Sequence, residues 1–305
     1  MKKIFTLIFL LTIISYADAI ETKIIHNIQN EIITNVDIKK EFKYLLSLNN
    51  KLKELSKEKI FRISNNSIVK EKIKKIEILR NYKELKINDE YLNAILKDIY
   101  TRRGLKSLEE FEIYLNNYDL IIADIKKKVT IDILWNQLVI KKYESQIEID
   151  EAEIKKNISK KSNDQIRQYQ LAEIIFEISN KEEIKEKYEE IINSIQETGF
   201  ENTASIYSFA ESSKIGGDLG WVNEVSLNNK IKEKITNIKI GEISDPIILP
   251  NGILILKIKN IKNSIIKTDL KLELKKAISY EKNKQLDQYS KIYFNKVKKN
   301  LELNE

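Results

Sequence analysis

Cysteine is absent from the 305 residues and histidine occurs once, at His26. Without cysteine there is no disulfide framework and no lipid attachment through a thiol. Zinc draws on Cys and His in sets of three or four, so one histidine argues against a zinc site, and no metal or other cofactor is implied. A serine hydrolase needs a histidine base; His26 stands alone and reads as a structural or surface residue. Proline is reduced to Pro246 and Pro250, and six of seven glycines fall between Gly199 and Gly252. Outside that window the chain lacks helix breakers and is rich in Lys, Glu, Leu and Ile, a composition suited to long helices. A turn-rich α/β segment therefore sits inside a helical frame. Basic and acidic side chains, 53 and 46 for a net charge of +7, are interspersed. Such mixing describes a solvated surface, not a nucleic-acid face.

The one long apolar run is at the start. Lys2 and Lys3 precede Ile4 to Ile14, and Ala17-Asp18-Ala19 offers small residues for cleavage. This pattern predicts a secretory signal over residues 1–19, since a spanning helix needs roughly 20 apolar residues. An uncleaved anchor is the alternative. No comparable run follows, so the mature chain is expected to be exported without stable membrane insertion.

Residues 20–165 read as a helical domain. Ile24 to Ile33 suggests a strand or hairpin, and Thr34-Asn35-Val36-Asp37 a capping box with Asp in place of Glu. Ile38, Phe42, Leu45 and Leu46 follow as one helical stripe. Further helices are predicted over 66–84, from Asn88 to near Gly104, from Ser107 to Leu115, and from about Asp119 to Tyr143. Trp135 and Trp221 are expected in the core. In residues 262–305, Leu270, Leu274, Ala277, Ile278, Tyr289, Ile292, Tyr293 and Val297 stripe a helix too long to bury its face alone. It is expected to pack back on the N-terminal helices.

Between these lie a strand at Tyr169 to Ile178, helices at Lys181 to Thr198 and from Phe200, and the loop Gly216-Gly217-Asp218-Leu219-Gly220-Trp221. A helix at Leu227 to Ile238 and a strand at Ile253 to Ile261 complete the order. Gly216-Gly217-x-x-Gly220 lacks the Lys-Ser/Thr of a phosphate loop. Four motifs instead resemble the parvulin-type peptidyl-prolyl cis-trans isomerases. They are Phe200-x-x-x-Ala204-x-x-Tyr207-Ser208, Gly217-Asp218-Leu219-Gly220-Trp221, Gly241-Glu242-Ile243-Ser244-x-Pro246 and Asn251-Gly252-x-x-Ile255-Leu256-Lys257-Ile258. Asn30 to Ile38 is similar to the opening of SurA-type periplasmic chaperones. The resemblance implies an α+β fold: an N-terminal helical chaperone domain completed by a C-terminal helix, with an inserted parvulin-like (FKBP-like) domain over 166–261.

It also implies a proline pocket beside a polar cluster of two histidines and a Cys or Asp. The apolar positions are kept as Leu219, Leu227 and Ile231, with Asn251 also on the substrate side. The histidine positions carry Glu173 and Leu254, and the Cys/Asp position falls at Ala210 or beside it at Glu211. Rotation about a peptide bond faces a barrier of roughly 18–20 kcal/mol, and an apolar grip without a nucleophile can lower it. Three functions stay open. One is a chaperone for unfolded exported clients, outer-membrane β-barrels among them, with weak or lost isomerase activity. The others are an active isomerase using the pocket and Glu173, and a structural partner of one envelope protein.

Overall fold

The computed structural model describes residues 21–159, 166–178, 183–249, 252–264 and 270–302. The signal segment and Asn251 lie outside them. The fold is α+β: a helical body, a four-stranded sheet with helices on it, and a long helix spanning both.

The chain opens with a hairpin of β1 (Ile24–Ile28) and β2 (Glu31–Thr34). Thr34 then caps α1 (Asn35–Leu48) through the reciprocal box with Asp37, two local bonds that fix where the helix starts. α2 (Lys57–Asn81) begins nine residues ahead of the expected 66, because Ser56 accepts from the Lys59 amide and caps it there. α3 (Asp89–Thr101) and α4 (Leu108–Asn116) follow, capped by Asn88 and Ser107. α5 (Ile122–Tyr143) is the body's axis. Its Ile125, Val129 and Ile133 pack with Leu45, Leu96 and Phe111 in one core. Its Leu134, Trp135 and Leu138 pack with Ile33, Ile73 and Ile78 in a second. α5 thus buries a broad apolar arc between the two cores and leaves Lys127, Asn136, Gln137, Lys141 and Lys142 exposed.

α6 (Glu151–Ser159), which the sequence patterning did not single out, precedes the sheet. The strands are β3 (Ile166–Phe176), β4 (Asp218–Asn223), β5 (Ile247–Leu249) and β6 (Gly252–Ser264), in the order β4-β3-β6-β5 and all antiparallel. Period-two alternation gives the sheet two apolar faces. Ala172, Ile174, Phe176, Ile253 and Ile255 pack under α7 (Ile184–Thr198) and α8 (Phe200–Tyr207). Leu171, Ile175, Leu254, Leu256 and Ile258 face α9 (Asn229–Ile235). Part of the glycine-rich stretch expected as loop is in fact β4. Trp221 on this edge strand is 41% exposed, not core, with the Lys262 ammonium 4.0 Å from its ring centroid.

α10 (Leu270–Glu302) runs about 50 Å. Its last turns bury Tyr293, Val297 and Leu301 in the body core, where Trp135 stacks on Tyr293 at 5.2 Å and donates to Ser290 Oγ at 2.8 Å.

Candidate functional site

Alternation along β3 puts Glu173 on the same face as Leu171 and Ile175, the face that carries α9. The segment after α8 is laced onto that strand. The Phe209 amide donates to Ile175 O at 2.9 Å, the Ile175 amide to Ser208 Oγ at 3.0 Å, and the Glu173 amide to Gly217 O at 2.8 Å. Gly217 sits at φ +79°, and a Cβ there would lie 2.2 Å from Glu173 O, so only glycine permits this approach. The lacing places a short 3₁₀ turn, Glu211–Ile215, beside Glu173, where Ser212 Oγ donates to Glu173 Oε1 at 2.8 Å.

Of the residues singled out from sequence, Ala210, Leu227, Ile231 and Leu254 are buried together in the cluster on this face, and Leu219 packs half-buried against it. Glu173 lies on the same face, one register step from Leu254, which pairs with Ile175. Glu211 does not join them. It points into the helical body, where its Oε1 lies 3.0 Å from Lys74 Nζ of α2. Lys74 also meets Asp132 of α5 at 3.0 Å, and Lys214 meets Asp132 at 2.6 Å and Glu211 at 3.3 Å. Burial alone would raise the Asp132 and Glu211 carboxyls, but Lys214 and Lys74 hold both below the usual range. Burial pushes the neighbouring Lys70 ammonium down to about 8. The polar position beside the pocket is thus an ion-paired seam to the body, while the pocket side keeps the methyl of Ala210.

Among the described residues Glu173 is the remaining polar group of the set singled out from sequence. Burial pushes its carboxyl up to about 7, offset in part by the Ser212 bond and by Lys284 of α10. Near neutrality it is partly protonated and able to donate a hydrogen bond. Ser212, Tyr280 and Asp287, which escaped sequence reasoning, share this environment. Tyr280 packs against the pocket cluster. Burial, then the charges of Glu211 and Glu173, raise the Asp287 carboxyl to about 7. Tyr280 continues the i, i+3 spacing from Ala277, a signal that was present in the sequence; Asp287 gave none.

Fold and site together define the class: a parvulin module set in a helical frame. Residues 170–260 match the model of the rotamase family, described as the PPIC-type PPIase domain. Beyond that segment the chain is similar to the SurA chaperones. It is 26% identical over 184 residues to Chaperone SurA of Pseudomonas putida, covering 57% of this chain and 43% of that protein. The chain thus spans under half the length of the curated relatives it matches. A PpiC-type isomerase domain of known structure is 25% identical, covering 32% of this chain and 94% of its own, at a TM-score of 0.30. One of two SurA-like chaperones of Campylobacter jejuni is 16% identical, covering 90% and 98%, at a TM-score of 0.29.

Proposed function

We propose that the chain is a periplasmic chaperone whose helical body shields unfolded exported proteins, outer-membrane β-barrels among them, and whose parvulin module has weak or no isomerase activity. The observation that carries this is a groove of about 340 Å³ between α3 and α5. Its floor is Ile95, Ile99, Val129 and Ile133, and Tyr91 stands 49% exposed at its edge. Arg102, paired to Asp98 at 2.8 Å, lines the rim. An apolar trough with paired charges at its rim suits extended, aromatic-rich segments held weakly and released. The name of the curated relatives agrees with it. Among the described residues no helix is long and apolar enough to cross a membrane. The test is light scattering from a urea-unfolded β-barrel protein diluted into the purified chain. Stoichiometric amounts should suppress aggregation, and Ile95→Asp should weaken that suppression. Full aggregation in the presence of the wild-type chain would end the proposal.

The second reading, an active isomerase, is favoured by one observation: the half-titrated Glu173 carboxyl with its Ser212 partner beside an intact apolar pocket. A protease-coupled proline isomerisation assay separates the two. Activity that falls on Glu173→Leu substitution would make this reading the better one.

A further inference from the structure

The face of the sheet that carries Leu219, Leu227, Ile231 and Leu254 is not open along its length. Near the start of β3, Asn223 Nδ2 donates to Glu273 of α10, and both residues are buried. Beyond the end of β3, Glu177 accepts from Asn295 Nδ2 at 2.9 Å and pairs with Lys291 at 3.3 Å. From Glu273 to Asn295 α10 rises about 33 Å. From Gln168, the partner of Asn223, to Glu177 the strand advances about 30 Å. The helix therefore lies along β3 from end to end. Tyr280 is on its inner side against the pocket cluster, and the Lys291 ammonium is 5.4 Å from the Phe209 ring centroid. Ala277, buried against Ile158, also packs α10 on α6.

The two halves of α10 are held by different means. The end on the body is fixed by Tyr293, Val297 and Leu301 in a dry core. Over the sheet α10 places Tyr280, Lys284 and Asp287 toward Glu173, and from Leu286 onward its other flank already packs Leu286 and Tyr289 on the body core and Ser290 against Trp135. Separating an apolar core exposes apolar surface to water with nothing gained in return, whereas polar groups of a seam can take water as partners.

We infer that the middle of α10, from Ala277 to Lys284, is a built-in cover on the parvulin groove, and that a proline peptide reaches the pocket only when this stretch lifts off β3 and β4. The groups facing the seam are Glu173 of β3, Glu211 and Lys214 of the 3₁₀ turn, Lys70 and Lys74 of α2, Asp132 of α5, and Tyr280, Glu281, Lys284 and Asp287 of α10. Glu173 and Asp287 both carry raised carboxyls in the closed arrangement. A raised carboxyl binds its proton more tightly when closed, so closure is favoured below neutrality and loosens as the pH rises through about 7. The inference rests on the parvulin module and holds whether or not the body shields clients.

The test uses the full chain and a fluorescein-labelled Ala-Ala-Leu-Pro-Phe peptide, with affinity read by anisotropy. An apparent affinity is reduced by the fraction of molecules that are open, so releasing the cover raises it. Tyr280→Ala, at the pocket, and Lys291→Glu, at the far anchor, should each tighten binding by roughly tenfold or more. Both should speed amide exchange over 277–284 while 131–139 stays protected. A wild-type chain that binds the peptide as tightly as the variants would overturn the inference. So would variants that release the helix by exchange yet bind no peptide, or two variants that leave exchange and affinity unchanged. Loss of aggregation suppression in the same samples would bear on the chaperone reading alone.

Discussion

Replacing Lys74 by methionine isolates the charge that joins the module to the body. Lys74 is 2% exposed and lies between Asp132 and Glu211, with its ammonium 5.8 Å from the Trp135 ring centroid. Methionine keeps the stem's packing and removes the charge. Removing one partner from a buried pair costs about 3–5 kcal/mol, because the other charge is left unpaired. Here Asp132 and Glu211 are 28% and 32% exposed and both keep Lys214. The expected loss is therefore about 2–3 kcal/mol, or a Tm lower by roughly 5–10 °C for a chain of this size. Urea unfolding at pH 7 would measure it, in a Trp221→Phe background so that fluorescence reports Trp135 alone. The carboxyls held low by Lys74 contribute stability above their ordinary pKa and lose it as the pH falls. The gap between wild type and Lys74→Met should accordingly close on acidification below about 4. Lys74→Met with Glu211→Gln should be less damaging than the two losses added. A single variant within about 0.5 kcal/mol of wild type, or a strictly additive pair, would refute the claim that this seam is electrostatically coupled.

Gly217→Ala should cost about 3 kcal/mol, since the methyl meets Glu173 O and the backbone is held at φ +79°. The thermal melt and Trp221 fluorescence would read the loosening of β4; a melt matching wild type would mean the approach relaxes without cost. Glu173→Gln imitates the protonated acid. With the wild-type carboxyl raised to about 7, the variant should match wild type near pH 4, gain on it up to about 7, and level off about 1–3 kcal/mol more stable. A difference independent of pH, taken from urea midpoints, would contradict the burial of that carboxyl.

The features legible in the sequence were the local ones. Thr34 and Asp37 announce a helix start because both partners of the cap lie within one turn. The stripe of α1 shows because periodicity records which face is covered. Leu219, Leu227 and Ile231 were singled out only through the resemblance of the surrounding motifs, and the three gather in one apolar cluster on the sheet. The start of α2 was hidden by Asn65-Asn66-Ser67, which looks like a break yet sits mid-helix. β4 was hidden by Gly217 and Gly220, whose positive φ angles suggest loop although the segment between and beyond them pairs with β3. What could not be read depends on distant contacts. Lys74 is one lysine among many on a lysine-rich helix, and nothing near it in sequence reveals Asp132 or Glu211. Glu211 resembled a pocket residue by position, but a turn of the 3₁₀ segment aims it at the body. Tyr280 lies more than a hundred residues beyond Glu173, and only the chain's return along the sheet brings them together.

The pairing of Ile166 with Ser264 has a consequence for how the molecule is put together. These two residues mark where the chain goes into the sheet and where it comes out, and an antiparallel pair holds its Cα atoms about 5 Å apart. Once the sheet has formed, the body experiences the whole stretch from Ile166 to Ser264 as a link scarcely longer than one hairpin. Bringing α10 back to α5 then means closing a short loop, and the cost of loop closure grows by only about 0.6 kcal/mol per doubling of length in any case. The sheet unit is in that sense a cassette, entered and left by the chain at a single point.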